Sequence, residues 1–97
     1  ILARNFRGKP GEIDIIAQDD AQLVFVEVRA RSNRHFAGAA SSVNRRKQRR
    51  IIRTAQLFLQ RSPQCANMPC RFDVIAFEPP QSGADPRLQW IRSAFTA

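Results

Sequence analysis

Three acidic side chains near the start of the chain stand among aliphatic residues that otherwise look like β-strands. Glu12 and Asp14 fall in GEIDII, and Glu27 falls in VFVEV, two residues before Arg29. Alternate side chains of a strand share a face, so Glu12 and Asp14 are predicted to point one way, and Glu27 and Arg29 likewise. Aliphatic strands have no packing use for these carboxylates, which makes them candidates for chemistry.

The two segments are close enough in sequence to form an antiparallel hairpin whose turn lies in Gln18-Asp19-Asp20-Ala21. If Asp14 lies opposite Glu27, paired residue numbers add to 41 and the hairpin closes around Asp20 and Ala21. This register, or one slipped by two residues, brings the three carboxylates and one guanidinium together. A slip by one residue would separate them.

Carboxylates held this close repel each other unless a cation lies between them. Oxygen ligands suit Mg²⁺ or Mn²⁺, whereas zinc prefers nitrogen and sulfur. An ion held by Asp14 and Glu27 can bind a phosphodiester oxygen, activate water and stabilise the leaving oxygen. The alternative is that these acids are ordinary exposed strand positions paired with arginines, and the spacing alone does not decide between the two.

The charge of the chain favours a polyanionic partner. Sixteen Lys and Arg residues oppose eight Asp and Glu residues, the formal charge is +8, and 14 of the basic residues are Arg. Guanidinium groups bind phosphate in a bidentate manner, so nucleic acid, DNA first, is expected ahead of a membrane or an acidic protein. A merely soluble basic surface is the alternative. The candidate nucleic-acid-binding residues are Arg31, Arg34, Arg45, Arg46, Arg49, Arg50 and Arg53.

The 97 residues fit one domain spanning the whole chain, 1–97. No apolar run approaches the roughly 20 residues of a transmembrane helix, so no membrane partner is expected. Cys65 and Cys70 are too few for a disulfide framework or a zinc site, and His35 does not complete a metal set with them. Reduced thiols and a cytoplasmic location are expected.

The pattern of apolar runs and breakers predicts an α/β domain with the order β-β-β-α-β-β. A helix is expected from an N-cap at Ser41 or Ser42 to about Arg61, and a hairpin followed by a β-α-β crossover makes the sheet mixed. The predicted strands are 2–7 (or the end of a helix), 12–17, 23–29, 71–77 and 88–95 (or a short helix). The buried helix positions are predicted to be Ile51, Ala55 and Phe58, widened by Ile52 and Leu59.

Three residues of the last two strands are given structural roles. Trp90 and Ile91 are predicted to cover the core, and Asp73 is expected to pair with an arginine.

Several of these segments resemble a known family. Asp14, followed after a hairpin by Glu27-Val28-Arg29, resembles the PD-(D/E)xK signature of restriction-endonuclease-like nucleases. Over almost the whole chain the sequence is similar to the YraN-type family of uncharacterised bacterial proteins, which is regarded as nuclease-like and akin to archaeal Holliday-junction resolvases. The resemblance implies a restriction-endonuclease-like mixed sheet and hydrolysis of phosphodiesters in structured or branched DNA with Mg²⁺ or Mn²⁺. The matching segments are ARNFR, GEIDII, VFVEVRAR, VNRRKQRR, CRFDVIAF and WIRSAF.

The resemblance also implies roles for single residues. Asp14 and Glu27 become metal ligands, the main-chain carbonyl of Val28 a further ligand, and Glu12 a supporting or water-positioning carboxylate. Arg29 occupies the position of the signature lysine, where it can supply charge but cannot readily deprotonate.

Two helix residues extend this implied catalytic set. Lys47 either replaces the signature lysine from another direction or contacts phosphate. Gln48 belongs to a matching segment and faces either the site or solvent.

Family members usually carry an N-terminal helix ahead of the point where this chain starts, so an incomplete site and an exposed apolar surface that favours a homodimer are expected. Three functions stay open on this evidence: a metal-dependent nuclease, a nucleic-acid-binding module of the same fold without turnover, and a basic adaptor for an acidic partner.

Overall fold

The computed structural model describes residues 1–30, 43–78 and 87–97. Its elements follow one another in the predicted order, β-β-β-α-β-β. The strands are β1 (Ala3–Gly8), β2 (Gly11–Asp19), β3 (Gln22–Ala30), β4 (Cys70–Glu78) and β5 (Arg87–Phe95), and the helix is α1 (Arg45–Arg61). The first and last segments, for which a helix was the alternative, are both strands.

The five strands form one mixed sheet in the order β1-β2-β3-β4-β5. Strands β3 and β4 are parallel, and every other neighbouring pair is antiparallel. A parallel pair needs a crossover connection, and α1 lies in the connection between β3 and β4. The predicted mixed sheet with a hairpin and a β-α-β crossover is therefore confirmed.

The β2–β3 hairpin has the predicted register. Its pairs run from Asp19↔Gln22 to Ile15↔Val26, and the residue numbers of each pair add to 41. Asp20 and Ala21 form the turn, and Asp20 has φ 55°, a left-handed conformation that Asp tolerates better than most residues.

Helix α1 begins later than predicted. Asn44 is its N-cap, and the Asn44 side chain accepts a hydrogen bond from the main-chain N–H of Lys47 at 3.0 Å. The prediction of an N-cap at Ser41 or Ser42 is wrong, and both serines lie outside the described residues. Asn caps helices as well as Ser does, so propensity could not separate these neighbouring candidates.

The apolar face of α1 packs on one side of the sheet. Ile51, Ala55 and Phe58 are buried, as predicted, and Ile52 and Leu59 pack partly buried against the same core. The Phe58 ring makes edge-to-face contacts with the ring of Phe6 on β1 (centroids 5.3 Å apart) and that of Phe25 on β3 (6.1 Å). Aromatic packing thus fixes the helix over β1–β3.

The face of the sheet opposite α1 carries a buried ion pair. The Asp73 carboxylate accepts bonds from the Arg71 guanidinium at 2.9 and 3.0 Å, from Trp90 Nε1 at 2.9 Å and from the Ser93 N–H at 3.0 Å. The prediction that Asp73 pairs with an arginine is confirmed. Ile91 packs on the core as predicted, but the prediction for Trp90 is wrong, because its indole is 52% exposed on the other face.

The two cysteines are free thiols within the described segments, Cys65 buried and Cys70 at the start of β4. Burial is the main reason why the pKa of the Cys70 thiol lies above its ordinary value. In the described part of the chain no helix is both long and apolar enough to cross a membrane.

Candidate nuclease site

The sheet splits at the end where Asp14 and Glu27 lie. The last β2–β3 pair is Ile15↔Val26, whereas β2 continues to pair with β1 as far as Gly11. Strand β3 likewise continues to pair with β4 as far as Ala30. Beyond Ile15 and Val26 a gap therefore separates β2 from β3, and we call it the β2–β3 gap.

Asp14 reaches across this gap. Its Oδ2 accepts a hydrogen bond from the main-chain N–H of Val28 at 2.8 Å, which replaces a main-chain bond of the interrupted ladder. The N–H and C=O of one strand residue project to the same side, so the Val28 carbonyl also faces β2. The Asp14 carboxylate and the Val28 carbonyl oxygen thus lie together at the gap.

Glu27 lies beside Asp14 and is held in a partly desolvated position, with 18% of its side chain exposed. Its pKa is raised from 4.5 to about 7, first by burial and then by the Asp14 charge, and a hydrogen bond with Asp14 adds to the shift. The charges of Arg29 and Lys47 act in the opposite direction but do not cancel it. At neutral pH the positive charge of Arg29 and Lys47 is therefore too small to keep Glu27 fully ionised beside Asp14.

Two cations accompany the acidic pair. Arg29 Nη1 lies 3.9 Å from Glu27 Oε1, a loose ion pair in which 30% of the arginine side chain stays exposed. Lys47, in the first turn of α1, is near enough for its charge to lower the Glu27 pKa. The helix and β3 thus contribute one cation each to the same site.

Glu12 does not join the pair. Its carboxylate oxygen lies 3.4 Å from Arg7 Nε on the surface of the β1–β2 hairpin. Ile13 and Ile16 are both buried although they are three residues apart, which strict alternation along β2 would not allow. The break falls opposite Asn5, whose φ of 53° interrupts β1 between Arg4↔Ile15 and Phe6↔Ile13.

The expected convergence of three carboxylates is therefore not found in residues 1–30, 43–78 and 87–97. No group of three or more His, Cys, Asp and Glu side chains in these segments is arranged to hold a metal ion. The donors that the structure does bring together are two carboxylates and one main-chain carbonyl. The left-handed conformation of Asn5 was not predicted from the sequence. The only signal for it was the residue type, because Asn adopts left-handed conformations more readily than most residues.

Gln48 makes two hydrogen bonds to the residues that precede α1. Its Nε2 donates to the carbonyl of Val43 at 2.9 Å, and its main-chain N–H donates to the Asn44 carbonyl at 2.9 Å. Val43 is 1% exposed and belongs to the core, so these bonds tie the first turn of α1 to the packed interior. Gln48 therefore holds the turn that carries Lys47.

The outer face of α1 is basic. Its first turn contains no acidic residue, and its arginines lie away from the buried face as predicted. Arg31 and Arg34 fall outside the described residues. The predicted DNA-binding arginines of the helix, all exposed, are Arg45, Arg46, Arg49, Arg50 and Arg53, and Arg61 in the last turn is exposed as well.

Comparisons with known proteins identify relatives along the whole chain. The model of the uncharacterised protein family UPF0102 matches residues 1–77. A UPF0102 protein of Pseudomonas putida (strain GB-1) is 47% identical over 95 residues, which cover 98% of this chain and 76% of the relative. One from Janthinobacterium sp. (strain Marseille) is 50% identical over 97 residues, 100% of this chain and 72% of the relative. The family predicted from the sequence is confirmed: the chain belongs to the uncharacterised protein family UPF0102.

Proposed function

We propose that this protein is a divalent-metal-dependent nuclease with a restriction-endonuclease-like fold that hydrolyses phosphodiesters in structured or branched DNA. The β2–β3 gap is the observation that carries the proposal. Asp14, Glu27 and the Val28 main chain meet there, and the basic outer face of α1 begins beside them. An acidic centre next to a basic surface suits a polyanion that must be held over a cation.

The donors at the gap suit Mg²⁺ or Mn²⁺. All are oxygens, which hard divalent cations prefer, and Asp14 keeps one carboxylate oxygen besides the one that accepts the Val28 N–H. The raised pKa of Glu27 supports the fit, because two partly desolvated carboxylates share too little positive charge. A bound Mg²⁺ or Mn²⁺ would supply that charge and, with it, Lewis-acid activation of water and phosphate. The ligands would be Asp14, Glu27 and the Val28 carbonyl.

The residues around these donors position the substrate. Arg29 is partly exposed and permanently charged, so it can donate to a phosphate oxygen but cannot take a proton from water. Lys47 supplies a second positive charge from the helix and can exchange a proton, so it either orients the attacking water or contacts phosphate. Gln48 acts through Lys47, because it fixes the helix turn that carries it.

The arginines of α1 would bind the phosphate backbone of DNA. Contacts of this kind carry no base information, so recognition by shape and backbone is proposed rather than sequence readout. Binding should weaken with salt, with a slope of about 0.9 for each phosphate contact on duplex DNA. A cytoplasmic location is part of the proposal, in keeping with the free thiols of Cys65 and Cys70.

Titration of Mn²⁺ and Mg²⁺ by calorimetry tests the metal site. We expect one-site binding that is lost in Asp14→Asn and in Glu27→Gln and kept in Glu12→Gln, the matched control on the same strand. Cleavage of a labelled branched DNA junction, compared with a linear duplex of the same composition, should then require the metal and both carboxylates. No metal binding at millimolar concentration in any of the proteins would contradict the proposal.

One observation favours a second candidate, a nucleic-acid-binding module of the same fold without turnover. Arg29 stands where a nuclease of this kind has lysine, and its guanidinium is turned to Glu27 at 3.9 Å. Such a module would bind the junction in a salt-dependent manner with no cleavage in the presence of Mn²⁺. A basic adaptor would show no salt-dependent DNA binding at all.

A further inference from the structure

We propose that Trp90 and Arg92 on β5 form a second nucleic-acid contact, a stacking platform for an unpaired base of a single-stranded segment. The inference rests on the proposed function in that it names the substrate class of the same protein, DNA in which a duplex adjoins an unpaired strand. None of the donors at the β2–β3 gap takes part in it, so it can be tested separately.

The indole of Trp90 is exposed but held in place. It is 52% exposed, and its Nε1 donates to Asp73 Oδ2 at 2.9 Å. Asp73 is itself fully buried and bound by the Arg71 guanidinium and by the Ser93 N–H, so the acceptor cannot move away. A rigid aromatic surface loses little conformational freedom when a ligand stacks on it.

The platform carries positive charge. The Arg92 guanidinium lies 4.7 Å from the centroid of the Trp90 ring, and both side chains are exposed. The negative charge of Asp73 is offset by the two bonds from Arg71, and the sequence of β5 contains no acidic residue. The guanidinium lies over one face of the ring, so a base can stack on the other face while the guanidinium donates to the adjoining phosphate, and the two contacts together fit a nucleotide.

The platform lies at the same end of the sheet as the β2–β3 gap. Val28 pairs with Ile75, and Ile75 pairs with Trp90, so the three residues form one row across β3, β4 and β5. Two strand spacings put the backbone of Trp90 about 10 Å from that of Val28. Val74 and Ala76, the neighbours of Ile75, face the core under α1, so Trp90 lies on the opposite face of the sheet.

Leu88 extends the platform. Leu88 lies two residues before Trp90 on β5, where it pairs with Phe77 of β4, so it shares the face of Trp90. Its exposed fraction is 73%. Its apolar surface can contact a sugar or a second base. A duplex on the basic face of α1 and a single strand passing around the end of the sheet would occupy both surfaces.

Tryptophan fluorescence tests the inference directly, because the chain has one tryptophan. Oligothymidylate is added to the full chain, and binding is followed in parallel by the anisotropy of a labelled strand. We expect saturable quenching of Trp90, with affinity about tenfold lower in Arg92→Gln. Arg46→Gln on α1 is the matched control for the loss of one exposed arginine, and it should weaken duplex binding more than it alters quenching.

A second variant keeps the test independent of folding effects. Trp90→Leu removes the stacking surface, and its circular dichroism and melting temperature show whether the fold is kept. If it is folded and binds single strands as the wild type does, the inference is overturned. Emission that depends on protein concentration rather than on oligonucleotide also overturns it, because the surface then belongs to a second copy of the chain. Quenching without Mn²⁺ binding would support the platform and contradict the nuclease.

Discussion

Replacing Glu27 by Gln should stabilise this protein at alkaline pH and abolish the metal binding that we propose. In the folded state the pKa of Glu27 is raised from its ordinary value of 4.5 to about 7, first by burial and then by the charge of Asp14. The protonated form is therefore favoured by folding, and the stability it contributes is lost as the pH rises through about 7. Gln keeps the shape of protonated Glu27 and its capacity to donate to Asp14, but it never ionises.

The size of the effect follows from the two pKa values. A displacement from 4.5 to about 7 corresponds to about 3 kcal/mol between fully protonated and fully ionised Glu27. Between about pH 5 and about pH 8.5, linkage gives a loss of about 2.5 kcal/mol in the wild type that Glu27→Gln does not share. Titrating groups that do not interact with Glu27 are common to the two proteins, so they cancel in the difference.

Urea unfolding of both proteins at the two pH values measures this difference, with Glu12→Gln as the control. Glu12 is exposed and paired with Arg7, so its variant should follow the wild type. Adding Mn²⁺ at the higher pH should stabilise the wild type and leave Glu27→Gln unchanged. If the free energy of unfolding changes by the same amount between the two pH values in the wild type and in Glu27→Gln, the reasoning is refuted. Glu27 would then titrate alike in the folded and unfolded chain.

Three further changes test the packing, the buried ion pair and the basic face. Phe58→Ala should lower the free energy of unfolding by about 3 to 5 kcal/mol in urea, because it empties the contact between α1 and β1–β3; a loss below about 1 kcal/mol would mean that the helix is anchored elsewhere. Asp73→Asn should cost about 3 kcal/mol and shift the emission of Trp90, since it removes the buried counter-ion of the Arg71 guanidinium and leaves only the more exposed Asp19, at 3.3 Å; unchanged emission would contradict the bond. Arg46→Gln should reduce the salt slope of duplex binding by about 0.9, measured by anisotropy at several salt concentrations, and an unchanged slope would remove Arg46 from the interface.

Two opposing effects act on the pKa of Asp73, burial and hydrogen bonding. Burial alone would raise this pKa, but the hydrogen bonds from Arg71, the Ser93 N–H and Trp90 outweigh it, and the pKa lies below its ordinary value. The hydrogen bond and charge of Asp73, followed by those of Asp19, raise the pKa of the Arg71 guanidinium. A carboxylate with a depressed pKa contributes stability at neutral pH that is lost as the pH falls through its folded value, which is opposite in sign to the contribution of Glu27.

Local pattern was sufficient to predict much of the architecture. The β2–β3 register follows from the alternation of apolar residues and a turn of even length, so Asp14 and Glu27 could be brought together before the structure was known. The buried face of α1 follows in the same way from the spacing of Ile51, Ala55 and Phe58. The start of the helix could not be predicted as well, because Ser and Asn cap helices about equally.

Other features of the site depend on contacts between residues far apart in the sequence. Glu12 could not be separated from Asp14 by pattern, since the break in alternation between the buried Ile13 and Ile16 is seen only in the structure, where it lies opposite the left-handed Asn5 of β1. Trp90 was predicted to cover the core together with Ile91. Because the two residues are adjacent on β5, they point to opposite faces of the sheet, and Trp90 lies on the face where the Asp73 carboxylate binds its indole.

The sequence by itself determined the family, the order of elements, the hairpin register and the basic face of the helix. These are set by composition and by periodicity over a few neighbouring residues. Only the tertiary structure decided that the sheet opens between β2 and β3, that Glu27 is desolvated beside Asp14, and that Gln48 supports the turn carrying Lys47. Burial and strand pairing depend on which distant segments meet, and a local pattern does not contain that information.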